Sequence, residues 1–148
     1  MNLIMALIHP ELYQNGQDVL ERMRQRPDTA EWASQWTSVC SGISVICNRV
    51  SPLHKDRWSA PAWYDILAVL GDFEQCQLDL SELGAHFHYT KGTVLGFCGN
   101  VFKHSVSDWG LGDRVCYAQF MRRSTISHFT DNLAGWMTQE IFEEYLSQ

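Results

Sequence analysis

Four side chains in this sequence have the types and spacing to do oxidative chemistry. His54 and Asp56 form a His-x-Asp pair, His104 lies fifty residues on, and Arg114 follows His104 by ten. On a strand, alternate side chains project to one face, so the spacing predicts that His54 and Asp56 point the same way. Two imidazoles and one carboxylate make a facial set of metal ligands with positions left open, a set that suits non-haem Fe(II). The arginine adds a permanently charged planar fork, which suits a carboxylate. A metal with open positions beside such a fork points to 2-oxoglutarate as cosubstrate. The stretch KHSVSDWGLGDR reads as two short strands joined by a polar, glycine-bearing turn, which predicts His104 and Arg114 roughly opposite each other in one hairpin.

The elements that must position these groups are mostly strands. From Gly42 the composition shifts to β-branched and aromatic runs broken by turn residues, predicting strands at 43–47, 50–54, 63–69, 76–80, 85–89, 93–98, 101–106 and 114–121. Eight short strands at this density suggest an antiparallel sandwich or barrel of jelly-roll type. Before them, the apolar opening MNLIMALIHP reads as the start of a core helix, being too short for a signal peptide. Pro10 opens a helix that Pro27 ends. Asp28 and Glu31 then suggest a capping box for a further helix carrying Trp32 and Trp36 into the core. After the strands, Thr130 or Asp131 is expected to cap a helix whose stripe of Leu133, Trp136, Met137, Ile141 and Tyr145 lies on the sheet. The whole is expected to be one α+β, mainly β domain over 1–148: a helical flank over 1–41, a β core over 42–122 and a helical tail over 123–148.

Composition narrows the class. At 148 residues, 45% of them hydrophobic, the chain can bury a core without staples. Five cysteines, an odd number without CxxC spacing, read as reduced thiols of an intracellular protein, and no run is long enough to span a membrane. Net charge is −6, yet the segment from Ile43 to His128 holds eight basic and eight acidic residues, leaving three against nine in the flanks. The site region is therefore neutral, with its cations near the metal ligands, and a nucleic-acid partner stays open.

On the strand beginning at Arg114, alternation places Cys116, Ala118, Phe120 and Arg122 on the same face. A ring that can stack and a donor that can read an edge suit a base flipped out of its helix, although core packing of Phe120 and surface charge at Arg122 are the simpler account from the residues alone.

The motifs NRVSPLHKD, WYDIL, YTKGTVLGFCGNVFKHSV and WGLGDRVCYAQFMR, with a weaker echo at IHPELY, resemble the TET/JBP-like Fe(II)/2-oxoglutarate dioxygenases, especially their short fungal branch. The resemblance runs over roughly 43–122. It implies a double-stranded β-helix (jelly-roll) core and oxidation of 5-methylcytosine in DNA to hydroxymethyl-, formyl- and carboxylcytosine. By position it implies His54, Asp56 and His104 as iron ligands and Arg114 at the distal carboxylate of 2-oxoglutarate, with Arg49 and Cys116 also on the cosubstrate side. It implies Phe120 stacking on the flipped base, with Ser59, Arg122 and Asn48 in the substrate set. Ser59 and Arg122 depart from the Asn or Asp and the His that other members carry there, and both departures touch base recognition. The implied partners are methylated DNA and dioxygen, with no membrane, and the implied state is a monomer in the nucleus.

Three other readings compete. His86-Phe87-His88 has the HxH spacing of cupin metal sites, although the glutamate expected next is missing. The same chemistry could serve N6-methyladenine, RNA, a protein or a small molecule. A silent module could bind nucleic acid or protein without turnover.

Overall fold

The computed structural model describes residues 1–147, so the end of the expected tail, Gln148, lies outside the described residues. All eight expected strands form: β1 (Gly42–Cys47), β2 (Ser51–His54), β3 (Asp65–Gly71), β4 (Gln77–Leu80), β5 (Ala85–His88), β6 (Val94–Phe97), β7 (His104–Val106) and β8 (Arg114–Phe120). They make two four-stranded antiparallel sheets, ordered β1-β8-β3-β6 and β2-β7-β4-β5. Apart from β4 and β5, consecutive strands lie in different sheets. The chain therefore crosses repeatedly from one sheet to the other and brings residues distant in sequence to one cavity.

Strand β3 holds the layers together. Its DILAVL run is apolar on both faces because both faces are covered. Ile66 packs outward with Met5, Leu12, Val19, Trp63, Met121 and Ile126 beneath the helices. Leu67 and Val69 point the other way, into a second cluster between the sheets with Leu78, Leu80, Tyr89, Phe97, Val106 and Cys116.

Helices α1 (Asn2–Ile8), α2 (Pro10–Gln25), α3 (Ala30–Gln35) and α4 (Arg123–Phe129) supply the outer layer, with α5 (Gln139–Leu146) beyond. Pro10 occupies the first turn of α2 as expected, and the cap is the buried His9, whose Nδ1 accepts from the Leu12 N–H at 3.2 Å. Burial lowers the His9 pKa, and the neutral ring leaves Nε2–H to donate to Gly135 O at 3.1 Å.

Two helix expectations need correction. No capping box forms at Asp28: Thr29 is the N-cap of α3, without a side-chain cap bond, and Asp28 pairs with Arg26 at 2.8 Å. Trp32, expected in the core, is 48% exposed. The tail is two helices separated by a segment without regular secondary structure. Ala134 N–H donates to Asn15 Oδ1 at 2.7 Å, Ala134 O accepts from Trp63 Nε1 at 2.9 Å, and Gly135 O accepts from His9. Backbone groups engaged by the helical layer cannot also close a helical ladder. Thr130 is consequently the C-cap of α4, Thr138 caps α5, and the expected apolar stripe is broken, leaving Trp136 and Tyr145 exposed.

Candidate active site

Antiparallel pairing of β2 with β7 sets His54 directly opposite His104, their ring centroids 4.2 Å apart. Asp56 lies beyond the end of β2, so strand alternation is not what aims its carboxylate. It is held instead by the turn that follows β6: Asp56 N–H donates to Gly99 O at 2.9 Å, and Asn100 Nδ2 donates to Asp56 O at 3.1 Å and Ser59 O at 3.0 Å. Asn100 thus clamps the loop bearing Asp56 and Ser59, a role the FCGN motif gave no local signal for.

His54 Nε2 comes within 3.7 Å of Asp56 Oδ1, and His104 Nε2 within 3.4 Å of Asp56 Oδ2. One ligand atom from each of the three can be chosen so that all lie within 4.8 Å of one another. Ligand atoms about 2.1 Å from a shared octahedral ion stand about 3 Å apart in neighbouring positions, so the observed spread fits one ion with small adjustment. The tautomers fit as well. His54 Nδ1 lies 2.7 Å from Pro52 O and His104 Nδ1 3.1 Å from Phe102 O. A carbonyl can only accept, so each Nδ1 carries the proton and each Nε2 presents its lone pair toward Asp56. Burial lowers the His104 pKa, and the nearby His54 adds to the lowering, which favours the neutral, ligating form.

Among the described residues this is the one group of three metal-capable side chains. His86 and His88 do not join it: both are exposed, and His86 Nδ1 bonds Asp79 Oδ1 at 2.7 Å on the far strands of that sheet.

The triad opens into a cavity of about 250 Å³ between the sheets. Arg114 lines it from the opposite sheet. The expected hairpin is therefore absent: β7 and β8 lie in different sheets, and His104 faces Arg114 across the cavity. Arg114 is 1% exposed, its guanidinium lies 5.3 Å from the Tyr89 ring centroid, and its buried Nε has no partner. An orphaned donor on a buried cation is the feature a dicarboxylate would satisfy.

The same-face expectation for β8 holds in position. Cys116, Ala118, Phe120 and Arg122 all line the cavity, as do Arg49 and Ser59. Phe120 rests on Gly42, where an added Cβ would come within 2.6 Å of its ring, and the Arg122 guanidinium lies 5.3 Å from its centroid. Asn48 is elsewhere. With φ at 48° it turns the chain after β1; its Oδ1 accepts from Arg114 N–H at 2.7 Å and its Nδ2 donates to Asp113 Oδ1 at 2.7 Å. Asn48 holds the backbone of Arg114 and is not on the cavity wall. Among the lining residues not anticipated are Trp58 and Asp65, the latter at the start of β3. The Asp65 pKa is pushed up to about 8, chiefly by burial and then by the Asp56 charge, with the nearby Gly99 amide opposing.

A family model described as the oxygenase domain of the 2OGFeDO superfamily, Tet_JBP, matches residues 1–123. The chain belongs to the TET/JBP oxygenase family. Membership makes Fe(II) and 2-oxoglutarate the cofactors of this TET/JBP oxygenase, and the His-Asp-His group and the buried Arg114 with its unpartnered Nε are side chains that fit them. The fold is also that of NgTET1, solved in complex with 5mC DNA, with a TM-score of 0.56 at 17% identity. That alignment covers 87% of this chain and 50% of the other, so the TET/JBP oxygenase described here spans half the length of that relative. No curated protein matches the sequence.

Proposed function

We propose that this chain oxidises the methyl group of 5-methylcytosine in DNA, as an Fe(II)/2-oxoglutarate-dependent dioxygenase built on a double-stranded β-helix. The observation that carries the reading is one cavity lined by a ligand triad, a buried arginine with an unsatisfied donor, and an aromatic ring. The strand orders of the two sheets support the jelly-roll core, and the shared cavity and helical layer support a single domain over 1–148. The relative solved with 5mC DNA supports methylated DNA with a flipped base as substrate, and with it a nuclear site of action. No described helix is long and apolar enough to cross a membrane. A monomer suffices, since every group invoked comes from one chain.

In this reading His54, Asp56 and His104 hold Fe(II), which with 2-oxoglutarate and dioxygen supplies the oxidising power for hydroxylation. The chain supplies geometry. Arg114 fixes the distal carboxylate of 2-oxoglutarate, and Arg49 stands near its other end, with Cys116 beside them. Phe120 stacks on the base and turns its methyl toward the iron side, while Ser59 and Arg122 meet its edge. Asn48 acts one step back by holding Arg114. Arg114 and His104 are buried between the sheets, while His54 and Asp56 are half-exposed and leave the iron side open to an incoming base.

Ser59 and Arg122 differ from the groups that resembling enzymes place there, and this favours a second reading in which the same chemistry acts on N6-methyladenine or another methylated base. The test is mass spectrometry of nucleosides after incubation with Fe(II), 2-oxoglutarate, ascorbate and DNA carrying 5-methylcytosine or N6-methyladenine, with succinate measured alongside. Appearance of 5-hydroxymethylcytosine, lost in His54→Ala, supports the first reading; loss of the methyl group from adenine only supports the second. Binding of modified DNA without succinate would instead indicate a silent module.

A further inference from the structure

His54 ends a weakly held strand. Strand β2 is an edge of its sheet and pairs with β7, itself three residues long. Two residue pairs are in register, Ser51 with Val106 and His54 with His104, and the ladder is irregular between them. Pro52, inside β2, has no N–H to give to that ladder. His54 is the last residue of the strand, and its side chain is 40% exposed. The spacing of the two imidazoles therefore needs a restraint beyond the ladder, and one carboxylate supplies it. Glu82 lies in a short 3-10 turn (Ser81–Leu83) just after β4, two residues past Leu80, which pairs with His104. Its Oε2 accepts from the Lys103 N–H at 2.8 Å, and its Oε1 meets Lys55 Nζ at 3.3 Å. Lys103 precedes His104 and Lys55 follows His54, so one side chain joins the flanks of both histidines. The Lys103 amide, with Lys55 adding to it, holds the Glu82 carboxyl below its usual range and keeps it ionised at neutral pH.

We propose that Glu82 is a positioning residue for the metal site, fixing the separation of His54 and His104 by joining Lys55 on one flank to the Lys103 backbone on the other. The proposal rests on the reading that these histidines hold iron. The Lys55 and Glu82 side chains are 35% and 39% exposed, so their ion pair adds little to overall stability. Its effect falls on the population of the ligating arrangement. A site whose competent arrangement drops to one tenth of the molecules binds its metal about tenfold more weakly, although the fold is unchanged. The two contacts of Glu82 can be separated by their chemistry. The Lys103 N–H needs only an acceptor oxygen, which an amide side chain also offers, whereas Lys55 needs a negative charge.

Calorimetric titration of the full chain with Mn(II), in the presence of 2-oxoglutarate, reads the effect without turnover. Glu82→Ala should raise the Mn(II) Kd about tenfold, the low end of the span for residues that support metal ligands from outside. The Tm of the metal-free protein should move by less than about 4 °C. Glu82→Gln, which keeps an acceptor for the Lys103 N–H, should recover part of the lost affinity, and Lys55→Met should lose about as much as Glu82→Gln does. In the Glu82→Ala background, Lys55→Met should cost nothing more, because its partner is already gone. Wild-type Mn(II) affinity in Glu82→Ala, or additive losses in the double variant, would overturn the proposal while leaving the metal site standing. Mn(II) binding that His54→Ala and His104→Ala both leave intact would overturn the metal-site reading, and the proposal with it.

Discussion

Replacing Arg114 by Met should raise the stability of the cofactor-free protein while abolishing its response to 2-oxoglutarate. Arg114 is 1% exposed, its Nε has no partner, and its guanidinium lies 5.3 Å from the centroid of the Tyr89 ring. An unsatisfied buried donor costs about 1–3 kcal/mol, and replacing a poorly compensated buried ion with an apolar side chain of similar length is often stabilising by a similar amount. For a chain of 148 residues that is a rise in Tm of about 2–4 °C per kcal/mol. With 2-oxoglutarate present that advantage is largely offset. Cosubstrate at a hundred times its Kd adds about 2.7 kcal/mol to wild type. The variant, having lost one partner of a buried charge pair worth about 3 kcal/mol, binds over a hundredfold more weakly and gains almost nothing. Thermal unfolding with Mn(II) as a redox-inert stand-in for iron, with and without 2-oxoglutarate, reads both effects. An Arg114→Met protein that melts below wild type without 2-oxoglutarate, or that gains as much from it, would refute the reasoning.

Four further outcomes are expected. His54→Ala, Asp56→Ala and His104→Ala should each lower succinate formation at least about a hundredfold, with iron content falling in parallel; wild-type turnover in all three would mean that the metal sits elsewhere. Gly99→Ala should reduce iron affinity although Gly99 ligates nothing, because the new methyl displaces the carboxyl of Asp56 or Asp65; calorimetric titration with Mn(II) checks this. Phe120→Ala should cut oxidation of a base by about 10- to 100-fold while sparing uncoupled 2-oxoglutarate turnover, and an equal loss of both would count against stacking. The Asp65 pKa, raised from 3.8 to about 8, makes the folded state hold a proton that the unfolded chain has released. Stability of the metal-free protein should therefore fall, by a few kcal/mol, as pH rises from about 4 to about 8. Urea midpoints across that range should flatten in Asp65→Asn.

The chemistry was legible in the sequence because it depends on residue types that serve few other purposes together, and the strands were legible because local composition and turns mark them. Pairing was not. The hairpin expected between His104 and Arg114 followed from their nearness in sequence, yet β7 pairs with β2 and β4, and β8 with β1 and β3. Strand alternation says which residues share a face and nothing of which strand lies opposite, since that choice is made by burial across the whole sheet. Asp56 shows the same limit: its type and spacing mark it as a ligand, but the turn at Gly99 and Asn100 aims it, and those residues are more than forty positions away. The tail expected as one helix is split because Asn15, Trp63 and His9 engage its backbone, three contacts invisible to any local pattern. Asp65 in DILAVL reads as the polar start of a strand, and only the closure of two sheets around it leaves a carboxyl buried, unpaired and facing the cavity. The sequence by itself determined the reactive groups, the strands and the resemblance that joins them. Tertiary structure alone decided which groups meet, because convergence at a site is a property of non-local pairing and burial.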